Sequence, residues 1–373
     1  MHFNPEELAR YSRHLNLSEL GTGGQEKLKA ARVLIVGIGG LGSPASLYLA
    51  AAGVGTLGLI DFDNVDLSNL QRQVLFNTSQ VGTNKVVAAR AQLLALNPHI
   101  DIRIHACRLS ASNIIQVLQE YDLILDGTDQ FDTRYLLNDA CVRSAKPFIS
   151  AAIHRFEGQL FTYVPQHSPC YRCLFPSAPE IGQLTNCADA GVLGVVPGVI
   201  GTLQATEAIK FIIQRGDLLC GRLLTYHALD MRFAEFHFSK RLDCIACGTE
   251  PCITLSDTVT YLSTPASADS ISVTELQQLL TMADDTTLLI DVREPAEFAA
   301  GHIQCAVNLP INTLSADLLN QKKYSTLVFI CRSGMRSAQA CAWAKNHSAA
   351  KTVHTHGGML AWCRTIDPSI AIH

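Results

Sequence analysis

Apolar residues recur along this chain in short runs separated by polar, glycine-containing turns. Residues 33–36 and 56–60 are two such runs, free of charge, which is typical of strands buried on both faces of a parallel sheet. Between them a glycine-rich turn, GIGGLG at residues 37–42, leads into a segment with Pro44 near its start and Gly53 at its end, the pattern of a helix. This stretch therefore predicts a strand, a turn, a helix and a second strand.

The same patterns predict further elements in chain order. Before the first strand, helices are expected at residues 5–13 and 25–30, with a break at residues 21–24. Residues 190–203 predict a buried loop and helix rather than a membrane span. Later strands are expected at residues 100–109, 122–125, 148–151, 158–164, 222–227, 287–290 and 326–330, with helices at residues 112–120 and 271–280.

Composition changes between residues 253 and 270, a stretch rich in Ser, Thr and Asp that contains Pro265 and lacks a helical period. Such a stretch is typical of a linker, and 373 residues are enough for two domains with their own cores. The sequence thus predicts an α/β protein with a larger domain at residues 1–250, a linker at residues 251–270 and a smaller α/β domain at residues 271–373. We expect the larger domain to be Rossmann-like, with a mostly parallel sheet and an antiparallel extension.

The charge of the chain excludes some classes of partner. The formal net charge is −4 and the isoelectric point is about 6.3, so no basic surface for nucleic acid or anionic lipid is expected. The first residues include acidic side chains and no apolar core, unlike a secretory signal, and no membrane association is expected. The chain has thirteen cysteines, and in a reducing cytoplasm we expect them to be free thiols or metal ligands.

The glycine-rich turn is the first candidate binding site. Glycines let the backbone approach a phosphate, and the N–H groups at the start of the following helix attract an anion. Asp61 ends the second strand, where its carboxylate can accept a hydrogen bond from a ribose hydroxyl. These features predict a nucleotide-binding site without choosing the nucleotide, so an NAD-dependent dehydrogenase is an alternative.

The loop after the second strand favours a triphosphate. Asn69, Gln71 and Arg72 supply hydrogen-bond donors, and Lys85 can neutralise further phosphate charge. A dehydrogenase has no need of so many donors here, although a plain surface loop followed by a helix lysine is the alternative interpretation. Asp129 follows the fourth strand and is expected at the same crevice, where a carboxylate facing a triphosphate implies magnesium.

Two CxxC pairs, Cys170 with Cys173 and Cys244 with Cys247, predict a single four-thiolate zinc site. Each pair presents two sulfurs about 3.5 to 4 Å apart, as metal bonds of roughly 2.3 Å require. Four protein ligands leave no position for water, so the site is expected to be structural; a redox-active CxxC is the alternative. Cys187 lies between the pairs in a polar loop, where an exposed thiol could react.

The smaller domain contains a further candidate nucleophile. Cys331 follows a predicted buried strand and opens the stretch CRSGMRS, residues 331–337, which leads into a helix. Backbone N–H groups and the positive end of that helix would surround the sulfur. With Arg332 and Arg336 adding positive charge, this cysteine loop suits an anion or the terminal sulfur of a persulfide. We therefore predict that Cys331 is reactive.

Several of these stretches carry a resemblance to known families. The first part of the chain contains RYSRH, GIGGLG, LIDFDNVDLSNLQRQ, GTNK, DGTD and the two CxxC pairs. Through them, residues 1 to about 250 resemble the molybdopterin-synthase adenylyltransferases and their thiamine-biosynthesis relatives, bacterial cousins of the ubiquitin-activating enzymes. Residues 271–373 resemble a rhodanese domain through DVREPAEFAAGHI, CRSGMRS and GGMLAW. The combination is similar to adenylyltransferase–sulfurtransferase proteins that serve ubiquitin-like sulfur carriers.

The resemblance implies a role for each matching residue. The implied ligands of ATP are Gly39, Gly40, Asp61, Asn69, Arg72 and Lys85. Asp129 matches a magnesium-binding aspartate. Arg13 matches an arginine that reaches into the ATP site of the neighbouring subunit, which implies a homodimer. Cys187 matches a cysteine of the adenylyltransferase–sulfurtransferase proteins that acts in sulfur transfer.

The implied chemistry has two stages. The C-terminal glycine carboxylate of a carrier ending in Gly-Gly attacks the α-phosphate of ATP, giving an acyl adenylate and pyrophosphate. A Cys331 persulfide, loaded by a persulfide or thiosulfate donor, then delivers sulfur to give a thiocarboxylate, and Cys187 resolves the acyl-disulfide intermediate. The sequence does not identify the carrier protein. It therefore does not choose between molybdopterin synthesis, thiamine synthesis, tRNA thiolation and cysteine supply as the pathway served. A scaffold that only docks a carrier is a further alternative.

Overall fold

The computed structural model describes residues 2–176, 191–256, 270–281, 286–315 and 324–370. The chain divides into two compact units. Of the described residues, 2–176 and 191–256 belong to the first unit, and 270–281, 286–315 and 324–370 belong to the second. Most of the predicted linker, residues 257–269, lies outside the described residues.

The first unit alternates helices with strands in the manner of α/β proteins. Its elements are α1 (Pro5–Arg10), α2 (Ser12–Leu15), α3 (Gly21–Ala30), β1 (Arg32–Val36), α4 (Gly42–Ala52), β2 (Thr56–Ile60), α5 (Lys85–Leu96), β3 (Asp101–His105), α6 (Ile114–Gln119), β4 (Leu123–Asp126), α7 (Phe131–Arg143), β5 (Phe148–His154), β6 (Glu157–Tyr163), α8 (Tyr171–Leu174), α9 (Val195–Ile213), β7 (Arg222–His227) and β8 (Arg232–His237).

The strands of this unit form one sheet in the order β3-β2-β1-β4-β5-β6-β7-β8. Strands β1 to β5 are paired in parallel, and β5 to β8 are paired antiparallel. The predicted parallel sheet with an antiparallel extension is thus confirmed. The strand order reverses between β1 and β4, because the chain moves outward from β1 to β3 and then returns. Ligands of such sheets bind at the carboxyl ends of the strands beside this switch point.

Helix α9 is the most apolar helix of the unit. By length and composition alone it could cross a membrane, with a mean hydropathy of 1.2. In the structure it packs against α4, β5 and β6. Gly201 allows the close approach to α4, since a Cβ there would lie 2.4 Å from the carbonyl oxygen of Leu41. Packing within the unit therefore accounts for the apolar character of the helix, and the predicted helix is confirmed. The loop predicted to be buried before it is not: residues 191–194 are exposed or half-buried, because burial begins only at Val196.

Two further expectations for the first unit are wrong. The break predicted at residues 21–24 is absent, because α3 already begins at Gly21. The helix is held by its later residues: Gln25 and Leu28 are buried, and Gln25 Nε2 donates to the carbonyl oxygen of Ala52 at 2.8 Å. Tertiary contacts here outweigh the helix cost of glycine. The third strand is shorter than predicted and ends at His105, where its partner β2 also ends.

The second unit has a smaller sheet that is parallel throughout, in the order β11-β10-β12-β13-β9. Its elements are β9 (Ser270–Ile271), α10 (Val273–Thr281), β10 (Thr287–Asp291), α11 (Pro295–Ala300), β11 (Val307–Asn308), β12 (Thr326–Ile330), α12 (Met335–Lys345), β13 (Lys351–Thr355) and α13 (Gly358–Thr365). The predicted helix at residues 271–280 begins two residues later, because Ile271 pairs with Thr355 in the sheet.

Both faces of this second sheet are covered. On one face Val328 and Ile330 pack with Trp362 of α13, and on the other Phe329 packs with Cys341 of α12. Burial on both faces is what a continuous apolar strand such as β12 requires. Cys331 follows β12 directly and so stands at the carboxyl edge of the sheet.

Candidate active site

The turn GIGGLG, here called the phosphate turn, joins β1 to α4 at the switch point. Gly37 has a φ of +86°, which favours glycine, and a Cβ on Gly42 would lie 2.1 Å from the carbonyl oxygen of Gly37. A Cβ on Gly37 would lie 3.0 Å from the carbonyl oxygen of Gly127, in the turn after β4. The turns after β1 and β4 therefore meet and form the floor of one cleft.

Asp61 and Lys85 lie beside the phosphate turn, at the carboxyl end of β2. The Asp61 carboxylate accepts hydrogen bonds from the backbone N–H groups of Ile38 at 2.8 Å and Asp63 at 2.9 Å. Burial raises the pKa of Asp61, and the charge of Lys85 opposes that effect. The Lys85 side chain is buried, with Nζ 3.1 Å from the Asp63 carboxylate. Asp61 thus fixes the phosphate turn, and Lys85 lies close enough to lower the pKa of Asp61 through its charge.

The loop that contains Arg72 lies against the phosphate turn. A Cβ on Gly40 would lie 3.6 Å from Cδ of Arg72, and a Cβ on Gly39 would lie 3.8 Å from Nε2 of Gln73. Arg72 Nη1 donates to the carbonyl oxygen of Ser68 at 3.1 Å, which holds the half-buried side chain at the turn. The arginine is therefore placed where a bound phosphate would need a positive charge.

The other predicted residues have less defined surroundings. Asn69 ends a short 3₁₀ helix, Leu67–Asn69, and is half-buried, whereas Asp129 is exposed in the loop after β4. Arg13 is exposed on α2, and no hydrogen bond or ion pair among the described residues ties it to the cleft. Cys187 lies outside the described residues. The residues that the structure brings together are Gly39, Gly40, Asp61, Arg72 and Lys85.

Sequence reasoning missed the residues that hold the loop next to Asp129. The buried carboxylate of Asp126 accepts hydrogen bonds from Ser150 Oγ at 2.9 Å and from Arg134 Nε at 3.1 Å. Arg134 Nη2 also donates to the carbonyl oxygen of Thr128 at 2.6 Å. A signal for this pair was present in the sequence, because Arg134 stands among the mostly apolar residues of α7. A guanidinium buried there needs a carboxylate partner. This buried pair fixes the backbone just before Asp129.

The two CxxC pairs meet in a four-sulfur cluster. The sulfur atoms of Cys170, Cys173, Cys244 and Cys247 all lie within 4.8 Å of one another. Cys170 Sγ is 3.7 Å from Cys244 Sγ, and Cys173 Sγ is 3.4 Å from Cys247 Sγ. Hydrogen bonds among the sulfurs lower the pKa of Cys173 to about 6 and raise that of Cys170. The donor type and spacing fit a tetrahedral metal ion.

One sulfur knuckle is fixed to α7, the helix that also carries Arg134. Arg172, between the first two cysteines, binds Asp139 through two hydrogen bonds of 2.7 Å. The backbone N–H of Tyr171 donates to Asn138 Oδ1 at 2.9 Å. Burial raises the pKa of Asp139, and its hydrogen bonds to Arg172 oppose the rise. The metal cluster and the loop beside Asp129 are thus attached to the same helix.

In the second unit, the sulfur of Cys331 is enclosed by its own loop. The residue is 1% exposed, and the backbone N–H of Gly334 points at Sγ from 3.1 Å. Ser337 Oγ lies 3.6 Å from the same sulfur. A Cβ on Gly358 would lie 2.2 Å from the carbonyl oxygen of Cys331, so the turn before α13 closes over the loop. The loop therefore closes around the sulfur and directs one backbone N–H at it.

The charge of Arg336 is not free, contrary to the sequence-based expectation for this loop. Its guanidinium binds Glu297 of α11 through hydrogen bonds of 2.7 and 2.8 Å. Burial raises the pKa of Glu297, but the hydrogen bonds and positive charge of Arg336, together with smaller effects of the Glu294 backbone and Arg293, outweigh that rise and lower the pKa. Asp291 and Arg293 form a second buried pair at 2.7 Å. The stretch DVREPAEF therefore contributes two structural ion pairs, and the pair of Glu297 with Arg336 holds the cysteine loop.

The fold and the two sites define an α/β enzyme in which a nucleotide-binding domain is joined to a domain with a reactive-cysteine loop. Residues 11–246 match the model of the ThiF family, and residues 272–365 match the model of the rhodanese-like domain. The chain belongs to the ThiF family and carries a C-terminal rhodanese-like domain.

Two relatives that match nearly the whole chain are named for both activities, and a solved structure matches about two thirds of the chain. A probable adenylyltransferase/sulfurtransferase, MoeZ of Mycobacterium tuberculosis, is 41% identical over 380 residues, covering 99% of this chain and 96% of the relative. The adenylyltransferase and sulfurtransferase MOCS3 of Culex quinquefasciatus is 39% identical, covering 99% and 90%. The structure of Escherichia coli MccB with ATP is 28% identical, with a TM-score of 0.57, covering 66% of this chain and 75% of MccB. The chain is thus an adenylyltransferase and sulfurtransferase, not a dehydrogenase or a docking scaffold.

Proposed function

We propose that this protein uses ATP to adenylate the C-terminal glycine of a ubiquitin-like sulfur-carrier protein and then converts that carboxylate into a thiocarboxylate. The observation that carries the proposal is the placement of Arg72 against the phosphate turn, in a chain that also holds the enclosed sulfur of Cys331. A carrier ending in Gly-Gly suits such a cleft, because a tail without side chains can lie close to the turn.

The adenylation step uses groups of the first unit. Gly39 and Gly40 let the triphosphate approach the turn, and Asp61 accepts from the ribose. Arg72, Asn69 and Lys85 stabilise charge on the transferring phosphate. The carrier carboxylate attacks the α-phosphorus, the bond to the pyrophosphate oxygen breaks, and pyrophosphate leaves. Magnesium held by Asp129 would neutralise further phosphate charge.

The sulfur step uses the second unit. A persulfide or thiosulfate donor transfers a sulfur atom to Cys331, giving a persulfide on the sulfur to which the N–H of Gly334 donates. That sulfur attacks the acyl carbon, and AMP leaves, which forms an acyl disulfide. The Cys187 thiolate then attacks the Cys331 sulfur, releasing the thiocarboxylate and forming a Cys187–Cys331 disulfide. A thiol reductant restores the two thiols.

The proposal includes features of the assembly and its surroundings. The active unit is a homodimer in which Arg13 of each chain completes the ATP site of the other. The four-cysteine cluster holds a structural zinc ion, supported by its sulfur spacing. The protein acts in the cytoplasm, where its cysteines are kept reduced.

Exchange of radiolabelled pyrophosphate into ATP tests the adenylation half of this function. With a ubiquitin-like carrier ending in Gly-Gly, we expect exchange that depends on the carrier. A carrier that lacks its last glycine is the control and should give none. Exchange that is equally fast without the carrier, or absent with every Gly-Gly carrier of the native cell, would contradict the proposal.

Replacing Cys187 with alanine should stop thiocarboxylate formation after the first turnover. The acyl disulfide would form normally but would have no thiol to release its product, so it should accumulate on Cys331 and be visible by mass spectrometry. Pyrophosphate exchange should not change. Cys107→Ala, at an exposed cysteine of the first unit, is the matched control. Unaltered multiple-turnover kinetics in Cys187→Ala would rule out the resolving role.

Removing one zinc ligand should destabilise the first unit. We expect Cys244→Ser to lose bound zinc and to lower Tm by about 10 °C, because structural zinc contributes several kcal/mol and 1 kcal/mol shifts Tm by about 2–4 °C at this size. Metal analysis and thermal unfolding measure the two effects. Cys252→Ser, at an exposed cysteine near the cluster, is the control and should keep its zinc. Zinc content equal in both variants would contradict the four-thiolate site.

A further inference from the structure

Gln73 carries a buried polar atom without a partner at the edge of the nucleotide cleft. The residue is 3% exposed, and its Oε1 has no hydrogen-bond partner among the described residues. A buried carbonyl oxygen that lacks a donor costs stability, so such an atom calls for an explanation. The same side chain reaches the phosphate turn, because a Cβ on Gly39 would lie 3.8 Å from its Nε2.

The backbone holds this side chain in place. The Gln73 N–H donates to the carbonyl oxygen of Asn69 at 2.9 Å, and its own carbonyl oxygen accepts from the N–H of Phe76 at 3.1 Å. The preceding residue, Arg72, extends along the neighbouring glycine, Gly40. Two successive side chains, a guanidinium and an amide, thus lie against two successive glycines of the turn.

The chemistry of the unpaired atom selects among the substrates of the proposed reaction. Oε1 is a hydrogen-bond acceptor, and the phosphate oxygens of ATP are acceptors too, so the triphosphate cannot satisfy it. The ribose hydroxyls have Asp61 as their acceptor, and the adenine amino group, the remaining donor of ATP, is separated from the phosphates by the ribose. The attacking carboxylate must come to within about 3–3.5 Å of the α-phosphorus, and it brings the backbone N–H of the terminal glycine with it. That N–H is a donor which has to arrive at this part of the cleft.

We propose that Gln73 binds the tail of the carrier protein, with Oε1 accepting a hydrogen bond from the N–H of the terminal glycine. This contact rests on the proposed function and names a residue for its second substrate. The bond orients the carboxylate toward the α-phosphate while Arg72 stabilises the phosphate itself. Gln73 is thus a substrate-binding residue of the adenylation step, and it discriminates the tail from the nucleotide.

Gln204 provides a matched comparison within the same unit. It is fully buried, and its Oε1 also has no partner among the described residues. Its Nε2, however, donates to the carbonyl oxygens of Asp126 and Ile149, each at 2.8 Å, so it joins β4 to β5. No side-chain hydrogen bond of this kind is found for Gln73 among the described residues. Replacement of Gln204 should therefore cost stability, whereas replacement of Gln73 should not.

The test compares Gln73→Met with the wild type and with Gln204→Met, using the full chain and a Gly-Gly carrier that supports pyrophosphate exchange. For Gln73→Met we expect the KM for the carrier to rise about fivefold, the size expected for one hydrogen bond. Its Kd for ATP, measured by calorimetry without carrier, should not change. Its Tm should not fall, because the variant removes an acceptor that is unpaired among the described residues of the free protein. Gln204→Met should have a lower Tm.

A carrier with N-methylglycine as its last residue makes the test specific, because it lacks the N–H in question. Its KM should be raised with the wild type and not raised further with Gln73→Met. Weaker ATP binding with an unchanged carrier KM would assign Gln73 to the nucleotide and overturn the proposal. A lowered Tm with an unchanged KM would overturn it as well, by showing a structural role. If the wild type shows no exchange, the proposed function fails and this contact fails with it.

Discussion

Replacement of Cys331 with alanine is expected to abolish sulfur transfer and to leave adenylation intact. The Cys331 sulfur is the atom that the mechanism loads with sulfur, and it lies 3.1 Å from the N–H of Gly334 in its own loop. Without that thiol, transfer of sulfur from thiosulfate to cyanide should fall by about 10³-fold or more. Thiocyanate formation measures this step, and pyrophosphate exchange measures the adenylation that should persist.

Cys305→Ala is the matched control for this variant. Cys305 is an exposed cysteine of the same unit, outside the 331–337 loop. It should transfer sulfur at the wild-type rate. If Cys331→Ala still formed a protein persulfide and passed its sulfur on, another thiol would be the sulfur carrier and the assignment would be wrong.

Replacement of Arg72 with methionine is expected to slow adenylation and to leave sulfur transfer intact. The Arg72 side chain lies against Gly40 of the phosphate turn, and loss of one donor that stabilises charge in a transition state costs about 10²–10³ in rate. Carrier-dependent pyrophosphate exchange should fall by that factor, while sulfur transfer from thiosulfate to cyanide should not change. Methionine keeps most of the aliphatic stem, so the packing at the turn is preserved.

Arg32→Met is the matched control, because it removes the same charge from the same unit. Arg32 begins β1, at the end of the strand opposite the phosphate turn, and forms an exposed ion pair with Asp122 at 2.8 Å. Exposed pairs of this kind contribute about 0–1 kcal/mol. The control should therefore exchange pyrophosphate like the wild type. Equal losses in both variants would indicate a general charge effect and not a phosphate contact.

The parts of the fold that the sequence predicts are those fixed by local pattern. After their first residues, Arg32 and Thr56, strands β1 and β2 are uncharged and buried. The turn between β1 and α4 needs glycine at Gly37 and Gly42 for steric reasons that hold in any such turn. The CxxC spacing is likewise set by metal geometry. These features can be inferred without knowing any distant contact.

The parts that escaped prediction depend on distant partners. Helix α7 buries Arg134, Asn138 and Asp139, whose polar side chains break the hydrophobic period that identifies a helix. Their partners lie on β4 and on α8, so the pattern makes sense only once those elements are in place. Strand β13 is hidden for the same reason, since Thr352 and His354 are polar yet buried. Edge strand β8 is mostly exposed and has no alternating pattern to recognise.

The candidate site shows the same division. Asp61 could be placed near the phosphate turn because it directly follows the end of β2, and Arg72 could be placed there because it lies in the loop after the same strand. The charge compensation of Arg336 by Glu297 could not, because the two residues are 39 positions apart and belong to different helices. The unpaired Oε1 of Gln73 is also a property of packing, which no local sequence pattern reveals.

The intact mass of the carrier protein, measured after incubation with the enzyme, ATP and thiosulfate, is the most direct test of the proposed function. We expect the C-terminal carboxylate to become a thiocarboxylate when enzyme, ATP and sulfur donor are all present. When the sulfur donor is left out, we expect that an acyl adenylate can be trapped. A carrier whose mass stays unchanged under these conditions, or a thiocarboxylate that forms without ATP, would contradict the proposed function.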